Sequence, residues 1–436
     1  MYISIFIYSA FLISNVEWRA IISTLRGTSR LWLATVLVII LLNLVLGLAF
    51  LMHRHDNAVY AKSLDSYLVF SLDLIEGLKL GKKNVAFSPL SVYAALLMLA
   101  EGSGGNTRAE LLNALHLSSL DDARNWFNGL LKDLLDVSRP AKIDVANSIW
   151  IQDGFSVNKS YVNSLKRYYL AEVMYADFEH DPLGAAERIN KWVCDKTHKL
   201  IDMIVDRRSI DSMTRIVLIN TIYFKANWKK PFEEVVLGDF HIGNKVVKVY
   251  YLRGTTKVRL LRERNYTALS LDYKGTDVKF VVIMPNDGNL VDFIKGLDKD
   301  GLLGILNKLF SSEQVTVNLY LPKFDVDSDI LSLKEVLYKL GVRSVFDPHR
   351  ADLSPMVEGG QKILYVRDVL HRARVKVDLK GTEAAAATAV TVVLTAVPVE
   401  HPTVKIDKPF IFLLVEPKSY TILFIGSITN PPTIVM

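Results

Sequence analysis

The sequence contains a single cysteine among its 436 residues, Cys194. One cysteine excludes an intramolecular disulfide, so the fold has to be stabilised by an apolar core, and disulfides give no indication of the compartment. Half of the residues are hydrophobic, which is enough for a large core. We expect Cys194 to be a buried or half-buried, inert thiol within a helix.

Catalytic signatures are also missing. The sequence has no Gly-x-Ser-x-Gly elbow, no His-Glu-x-x-His zinc motif, no phosphate-binding loop and no dinucleotide fingerprint. Each of these motifs supplies the nucleophile, the metal ligands or the phosphate-binding backbone of a large enzyme class. We therefore predict a protein that is not an enzyme and that uses no metal and no cofactor.

Charge of one sign is not concentrated in any part of the chain. Lysine and arginine number 52 against 46 acidic residues, which gives a net charge of +6, and no five basic residues follow one another. This distribution indicates no nucleic-acid partner. The basic pairs Lys82-Lys83 and Lys229-Lys230 are interpreted as solvated surface.

A long apolar run lies near the N-terminus. Residues 31–52 carry no charge, and about 20 apolar residues are enough to span a bilayer. Because basic residues precede the run, we predict a signal peptide or an uncleaved signal anchor behind an extension of residues 1–30. Either interpretation places the main domain outside the cytoplasm, secreted or held as a type II membrane protein through residues 31–52 alone. The sequons at Asn158 and Asn265 are candidates for glycosylation there.

The remaining chain, residues 58–436, shows no linker or break in composition and is predicted to be one domain. Helical periodicity dominates its first third, with predicted helices over Ala58–Leu80, Val92–Glu101 and Thr107–Leu115. Strand patterns dominate its last half, over Lys142–Ile151, Arg215–Phe224, Lys279–Met284, Val315–Phe324, Arg372–Leu379, Pro409–Val415 and Tyr420–Ile428. We predict an α+β fold in which helices pack around large, mainly antiparallel β-sheets.

The segment from Gly381 to Leu394 joins an alanine-rich half to a β-branched half. One set at period two carries no charge and begins with small side chains: Thr382, Ala384, Ala386, Thr388, Val390, Val392 and Leu394. The alternate set contains the only charge, Glu383. Such a segment is able to become a central strand with the uncharged set facing a core, although alanine and glycine are poor strand formers. A solvated loop or a short helix is the alternative interpretation.

Motifs from about residue 60 to the end resemble the serpin family. The stretch Gly381-Thr-Glu-Ala-Ala-Ala-Ala-Thr388 is similar to the hinge of inhibitory serpins. Other similar segments, in chain order, are Asn84–Ser91, Asn190–Val193, Asn220–Trp228, Leu321–Phe324, Ala351–Ser354, Asp407–Phe410 and Leu423–Gly426. Chance does not produce this many motifs in the order that the family has.

The resemblance implies a serpin fold with an exposed reactive loop at about residues 381–403. A target serine protease cleaves this loop, and the cleaved loop then enters the main sheet as a new strand while the protease stays acyl-linked. The implied hinge residues are Gly381, Thr382, Glu383, Ala384, Ala385, Ala386, Ala387 and Thr388. The family's spacing from Gly381 places the reactive bond at Thr395-Ala396. Because this loop is longer than usual, Leu394-Thr395 is the alternative bond.

The composition of the loop indicates the class of protease. No lysine or arginine occurs between Gly381 and Thr403. A protease with an anionic specificity pocket finds no matching charge there, so the predicted partner of this monomeric inhibitor is an elastase-like or chymotrypsin-like serine protease. The alternative is a non-inhibitory serpin that acts as a chaperone, carrier or storage protein, against which the small hinge residues argue.

The same resemblance implies residues that control opening of the main sheet. They are a polar cluster and an aromatic residue where insertion starts, namely Ser88, Ser91, Asn220, His371 and Trp228. Without the resemblance, His371 is interpreted as an ordinary core or surface histidine, and Trp228 as core packing.

The segment just before the hinge departs from the family pattern. Serpins usually have a glutamate there, which pairs with a lysine at the end of the sheet, whereas this chain has Leu379 and Lys380. We expect this loss to loosen the insertion point and to raise spontaneous inactivation or polymerisation.

Overall fold

In the computed structural model, the described residues are 61–135, 141–206, 209–360, 364–382 and 400–432. The chain divides into two compact units, Met1–Ala61 and Lys62–Met436. The second unit holds two sheets and the helices that pack on them, and the following description concerns that unit.

Helices are most frequent in the first third of the described chain, as predicted. In chain order they are α1 (61–77), α2 (Pro89–Glu101), α3 (Gly105–Ala114), α4 (Leu120–Leu134), α5 (Lys159–Tyr169), α6 (Pro182–Lys196), α7 (Leu290–Lys295), α8 (Lys299–Ser311) and α9 (Lys334–Lys339). The three helices predicted from periodicity correspond to α1, α2 and α3.

Strands dominate the remainder. In chain order they are β1 (Val85–Phe87), β2 (Lys142–Gln152), β3 (Ala171–Ala176), β4 (Ile216–Asn227), β5 (Glu234–Ile242), β6 (Lys245–Arg262), β7 (Tyr266–Asp272), β8 (Lys279–Pro285), β9 (Gln314–Pro322), β10 (Phe324–Asp327), β11 (Leu331–Ser332), β12 (Val366–His371), β13 (Arg374–Asp378), β14 (Gly381–Thr382), β15 (Thr403–Lys405), β16 (Phe410–Glu416) and β17 (Thr421–Ile428).

Eight of these strands form one sheet, called the main sheet below. Its central strand is β4, which pairs with β2 along one edge and with β12 and β14 along the other. β3 extends the sheet beyond β2, while β13 and β10 follow β14, and β11 pairs with β12. The pairs β2–β3 and β4–β12 are parallel and the others are antiparallel.

Nine strands form the second sheet. Its order is β1-β17-β16-β8-β7-β6-β9-β15, with β5 paired to β6. Only the edge pair β9–β15 is parallel among the described pairs of this sheet. The predicted α+β fold with large, mainly antiparallel sheets is therefore confirmed.

The helix α2 shows how the sequence directs the fold locally. Ser88 is its N-cap: the Ser88 Oγ accepts a hydrogen bond from the Ser91 backbone N at 3.1 Å, and Pro89 occupies the first turn. This cap satisfies an amide group that a helix start otherwise leaves without a partner. Leu90 to Ala100 are all buried, so α2 lies in the core, where it contacts both β4 and β17.

A second apolar cluster lies between α6 and the main sheet. It includes Trp150 and Ile219 from the sheet together with Ile189 and Val193 from the helix. Cys194, the next residue of α6, is half-buried and free, as the sequence predicted. This helix therefore covers the outer side of the strands that border the candidate site.

Two predicted strands differ from the structure. The strand predicted over 315–324 is two strands, β9 and β10, because Lys323 between them donates its backbone N to the Tyr250 carbonyl oxygen at 2.8 Å. The strand predicted over 372–379 begins only at Arg374, where pairing with β10 starts. The hydrophobic alternation continues across both interruptions, so it did not reveal them.

Candidate functional site

The hinge that the sequence predicts begins inside the main sheet. β14 consists of Gly381 and Thr382, lies between β4 and β13, and is antiparallel to both. Thr382 is paired with Ala226 of β4 and with Val377 of β13. The first two hinge residues thus already form a short strand at one end of the sheet.

Position 381 has no room for a side chain. An added Cβ would lie 2.1 Å from the Ala226 carbonyl oxygen and 2.7 Å from the Asn227 Cα, closer than Cβ atoms approach other atoms. Glycine permits this close approach of the two backbones. The hinge glycine is therefore required by packing against β4.

Thr382 contacts a stack of two aromatic side chains, Tyr273 and Trp228, through the Tyr273 hydroxyl. Its side chain is buried, and its hydroxyl forms a hydrogen bond with the Tyr273 hydroxyl. Burial raises the pKa of the Tyr273 phenol well above its ordinary value, so this group stays protonated. The Tyr273 ring stacks on Trp228 with ring centres 4.6 Å apart. A residue larger than threonine at position 382 would displace this stack.

The backbone just before β14 is fastened to the segment that follows β4. Trp228 donates its backbone N to the Lys380 carbonyl oxygen at 2.8 Å and its indole Nε1 to the Asp378 carbonyl oxygen at 2.9 Å. Phe232 donates its backbone N to the Leu379 carbonyl oxygen at 2.9 Å. Three consecutive carbonyl groups are thus held by one segment, which places Trp228 where the predicted insertion starts.

An ion pair is present at this end of the sheet although Leu379 replaces the family's usual glutamate. Lys323 Nζ lies 3.4 Å from Asp378 Oδ2, and the Asp378 side chain is 14% exposed. The acidic group thus comes from the residue before Leu379. The loosening expected from Leu379 stays a prediction, and this ion pair opposes it.

The later hinge residues, Glu383 to Thr388, lie outside the described residues, as do Leu394, Thr395 and Ala396 of the predicted reactive bonds. The chain is described again from residue 400, and β15 pairs with β9 of the second sheet. The two ends of the predicted reactive loop are therefore held in different sheets.

One edge of β4 is partly without a strand partner. β12 pairs with this edge at Ile216 and Leu218, and β14 pairs with it at Ala226 and Asn227. Between these points, residues 219–225 are paired with no described strand on this edge, whereas β2 pairs with residues 216–225 on the opposite edge. This gap between β4 and β13, which begins at β14, is called the slot below.

The predicted sheet-opening residues form two hydrogen-bonded groups. Ser88 donates its backbone N to His371 Nε2 at 3.0 Å, and its Oγ accepts from the Ser91 backbone N. Asn220 instead donates to Asn147 Oδ1 on β2. Burial lowers the pKa of His371 to about 4, so the imidazole is neutral near pH 7. The structure brings these residues to the middle of the sheet, and their control of its opening stays a prediction.

Asn220 has a buried acceptor that is not satisfied. Its Oδ1 has no hydrogen-bond partner among the described residues, although the residue is buried. A buried polar atom without a partner costs about 1–3 kcal/mol. Because Asn220 borders the slot, a strand that filled the slot and offered a donor there would remove this cost.

The linker between α6 and β4 is tied to strands on both sides of the slot. His198 Nε2 lies 2.8 Å from Asp144 Oδ2 of β2. Arg372, between β12 and β13, donates to Asp202 Oδ1 at 2.9 Å and also pairs with Asp327 of β10. A strand that widened the main sheet would stretch these contacts, so the linker resists opening.

Three features that hold β14 and the borders of the slot were not predicted from the sequence. They are Tyr273, the Asp378–Lys323 ion pair and Arg372. Lys323 belongs to a segment that resembles the family, and an acid directly before Leu379 was a signal that a pair remained possible. Tyr273 and Arg372 carry no local signal, because their partners lie far away in the sequence.

The two predicted glycosylation sites differ in their surroundings. Asn265 is exposed between β6 and β7. Asn158 caps α5, and its Oδ1 accepts from the Ser160 backbone N at 3.0 Å and from the Ser160 Oγ at 2.9 Å. An N-linked glycan is attached to Nδ2, which this cap does not use; Asn158 is half-buried, whereas Asn265 is exposed. Glycosylation at either site stays a prediction.

Two further expectations concern metal ions and membranes. Within the described ranges, no group of three or more histidine, cysteine, aspartate or glutamate residues is arranged to hold a metal ion. No described helix has the length and apolar character needed to cross a bilayer. The apolar run at 31–52 lies outside the described residues, so its predicted role stays a prediction.

Comparisons with known proteins agree with the fold. A family model described as serpin (serine protease inhibitor) matches residues 65–431. An uncharacterized serpin-like protein of Thermococcus kodakarensis is 34% identical over 370 residues, 83% of this chain and 84% of that protein. The leukocyte elastase inhibitor of Equus caballus is 31% identical over 375 residues, 83% of this chain and 97% of that protein. The thermophilic serpin tengpin in its native state superposes with a TM-score of 0.73 at 28% identity, over 86% of this chain and 94% of that chain.

Replacement of the hinge glycine tests the packing of β14. Gly381→Ala is expected to push β14 out of the sheet, because the added Cβ overlaps the Ala226 carbonyl group, and overpacking of this kind costs about 1–3 kcal/mol. Hydrogen exchange at residues 377–382 should become faster. Gly304→Ala is the control, since no atom lies within 4 Å of a Cβ there. Unchanged exchange in Gly381→Ala would contradict this packing.

Two substitutions test whether the end of the main sheet is stabilised by Asp378 or depends on an acid at position 379. Asp378→Asn is expected to raise the rate of spontaneous inactivation about two- to five-fold, since a partly exposed ion pair contributes about 0.5–1 kcal/mol. Leu379→Glu is expected to change this rate little, because Lys323 already has a partner. The measurement is residual inhibitory or loop-insertion capacity during incubation at 37 °C. The reverse order of the two effects would show that Leu379 is the weak point.

Proposed function

Because the chain belongs to the serpin family, we propose that it inhibits a serine protease by acting as a suicide substrate. The observation that carries the proposal is β14, a strand of two hinge residues at the mouth of a slot in which no further described residue forms a strand. After cleavage, the N-terminal part of the loop continues from β14 into the slot. The protease, still acyl-linked, moves with it.

The pairing of β14 supplies the register of the inserted strand. Thr382 is paired with Ala226 of β4, and the two strands are antiparallel. Each later residue of the loop is therefore paired with an earlier residue of β4, so that Thr388 is paired with Asn220. On β13 and β12, Thr382 faces Val377, so Thr388 comes to face His371. β12 pairs directly with β4 at Val369 and Leu218, and the difference between these residue numbers equals that between Val377 and Ala226, the two partners of Thr382. The two borders of the slot therefore give the same register for the inserted strand.

The same register explains the small residues of the hinge. Thr382 is buried on the core side of the sheet, and side chains at period two share a face. Ala384, Ala386 and Thr388 therefore face the core beside Phe224, Ile222 and Asn220, all of which are buried. Small side chains enter this packed space quickly, which is what trapping requires. A non-inhibitory serpin does not need them.

Thr388 has a chemical role at the far end of the hinge. Its hydroxyl would arrive next to the Asn220 Oδ1, the buried acceptor without a described partner. Donation from Thr388 would satisfy this atom and stabilise the inserted state by about 1–3 kcal/mol. Asn220 of the predicted polar cluster would thus stabilise the state in which a strand fills the slot.

The reactive bond and the target remain as the sequence predicted them. We propose cleavage at Thr395-Ala396, with Leu394-Thr395 as the alternative, by an elastase-like or chymotrypsin-like protease. The relative named leukocyte elastase inhibitor supports this class of target. The proposed inhibitor is a monomer without enzymatic activity. Secretion, or anchoring through residues 31–52, is proposed from the N-terminal sequence alone.

Trapping is tested on a denaturing gel. Incubation with elastase-like and chymotrypsin-like proteases should produce a band that resists boiling at about the summed mass, because the acyl bond survives denaturation. Mass spectrometry of the released C-terminal peptide should begin at Ala396 or Thr395. Complete cleavage without such a band across a broad panel of proteases would instead support a substrate-like or non-inhibitory serpin.

A charge exchange tests the register. In the proposed inserted strand, Glu383 lies between Lys225 of β4 and Lys376 of β13, on the outer face. Opposite charges at such cross-strand positions contribute about 0.2–1 kcal/mol each, and like charges oppose pairing. Lys225→Glu with Lys376→Glu should therefore lower the ratio of trapped to merely cleaved protein about two- to ten-fold.

The rescue variant makes this test specific. Adding Glu383→Lys to the double variant should restore the ratio, because opposite charges then face each other again. Lys245→Glu with Lys339→Glu is the control, since both residues are exposed and lie away from the slot. A double variant that traps normally, or a triple variant that is worse still, would contradict the register.

A further inference from the structure

A surface pocket lies next to the segment that holds the hinge. Its volume is about 360 Å³, and its walls include Lys229 and Lys230, which follow Trp228, and Lys257 and Thr316 from the second sheet. The basic pair Lys229-Lys230 is predicted from the sequence to be solvated surface. Both lysines are exposed, as predicted, and they line one concave surface site together with a third lysine that is distant in sequence.

The pocket has an excess of positive charge. Asp272 is its only lining carboxylate, and it already contacts Lys279 Nζ at 2.9 Å, Gln314 Nε2 at 3.0 Å and Lys229 Nζ at 3.7 Å. The lining thus carries three lysines, Lys229, Lys230 and Lys257, against one carboxylate whose acceptors are in use. A concave site lined by charges of one sign concentrates ions of the opposite sign.

Two lysines are available for an external ligand. The ion pairs of the described residues include Lys229 and Lys279 at Asp272, but not Lys230 or Lys257. Lys257 and Thr316 are direct partners across β6 and β9, so their side chains share a face of that sheet. Lys230 lies on the other wall. Ammonium and hydroxyl donors therefore converge from two separate parts of the chain.

From this arrangement we propose that the pocket binds a multivalent oxyanion, a phosphate- or sulfate-bearing ligand, between Lys230 and Lys257. Oxygen atoms of such a ligand accept hydrogen bonds from ammonium groups and from a threonine hydroxyl at once. A monovalent carboxylate would satisfy only one wall. This binding site is independent of the proposed protease target and goes beyond the proposed function.

Bound anion is expected to act on the hinge. The lysine-bearing segment is the one whose Trp228 and Phe232 hold the carbonyl groups of Asp378, Leu379 and Lys380. Lys229 itself is fixed to the second sheet by its backbone N, which donates to the Asp272 carbonyl oxygen at 2.8 Å. A ligand that bridges Lys230 to Lys257 would tie this segment more firmly to β6. The ligand therefore stabilises the closed end of the sheet and slows premature insertion.

Binding is tested on the full-length protein in a buffer without multivalent anions. Inorganic pyrophosphate and a heparin-derived sulfated hexasaccharide are titrated separately by calorimetry. At least one of them should bind at a single site, more weakly as sodium chloride is raised, since exposed charges are screened. Pyrophosphate alone would indicate a free phosphate compound, and the hexasaccharide alone a sulfated glycan.

Substitutions assign the binding to this pocket. Lys230→Gln with Lys257→Gln should lower the affinity at least ten-fold, while Lys245→Gln with Lys339→Gln, which changes net charge equally, should lower it less than two-fold. Saturation with the probe should also slow hydrogen exchange at residues 378–382. Absence of saturable binding to both probes, or equal losses in the two double variants, would overturn the site. Binding without any change in exchange would overturn its link to the hinge.

Discussion

The structure depends on one strand position in the main sheet that no described strand occupies beyond β14. Residues 216–225 of β4 are paired with β2 on one edge, but on the other edge residues 219–225 have no described strand partner. Backbone groups at such an edge and the buried acceptor of Asn220 favour any strand that fills the space. A chain that keeps this position open stores free energy that a later event can release.

Contacts at the ends of the slot prevent a strand from entering it before cleavage. Gly381 and Thr382 already occupy its mouth, and Trp228, Phe232 and the Asp378–Lys323 pair fix the backbone leading to them. The linker held by His198 and Arg372 resists widening of the sheet from outside. Because β15 anchors the other end of the predicted loop in the second sheet, full entry of the first half requires either cleavage of the loop or release of β15 from β9.

Sequence patterns predicted the elements that repeat a simple period, and the family resemblance predicted the site. The all-round apolar α2, its cap at Ser88 and the buried strand β4 follow directly from residue types. The hinge was predicted from the resemblance of residues 381–388 to the family's hinge, because the alternation of small residues with Glu383 alone left a solvated loop or a short helix as the alternative. The breaks at Lys323 and before Arg374 were missed, because they arise from pairing with distant strands. The Asp378–Lys323 ion pair was missed for the same reason, since its lysine is remote in sequence, and the loosening expected from Leu379 stays a prediction.

Hydrogen exchange along β4 tests the central claim most directly. The amides of residues 219–225 that point toward the slot should exchange readily in the uncleaved protein and become strongly protected once the loop is cut. The amides that face β2 should be protected in both states, which provides an internal reference on the same strand. If cleavage left exchange at residues 219–225 unchanged, no strand would have entered the slot, and the proposed mechanism of inhibition would be wrong.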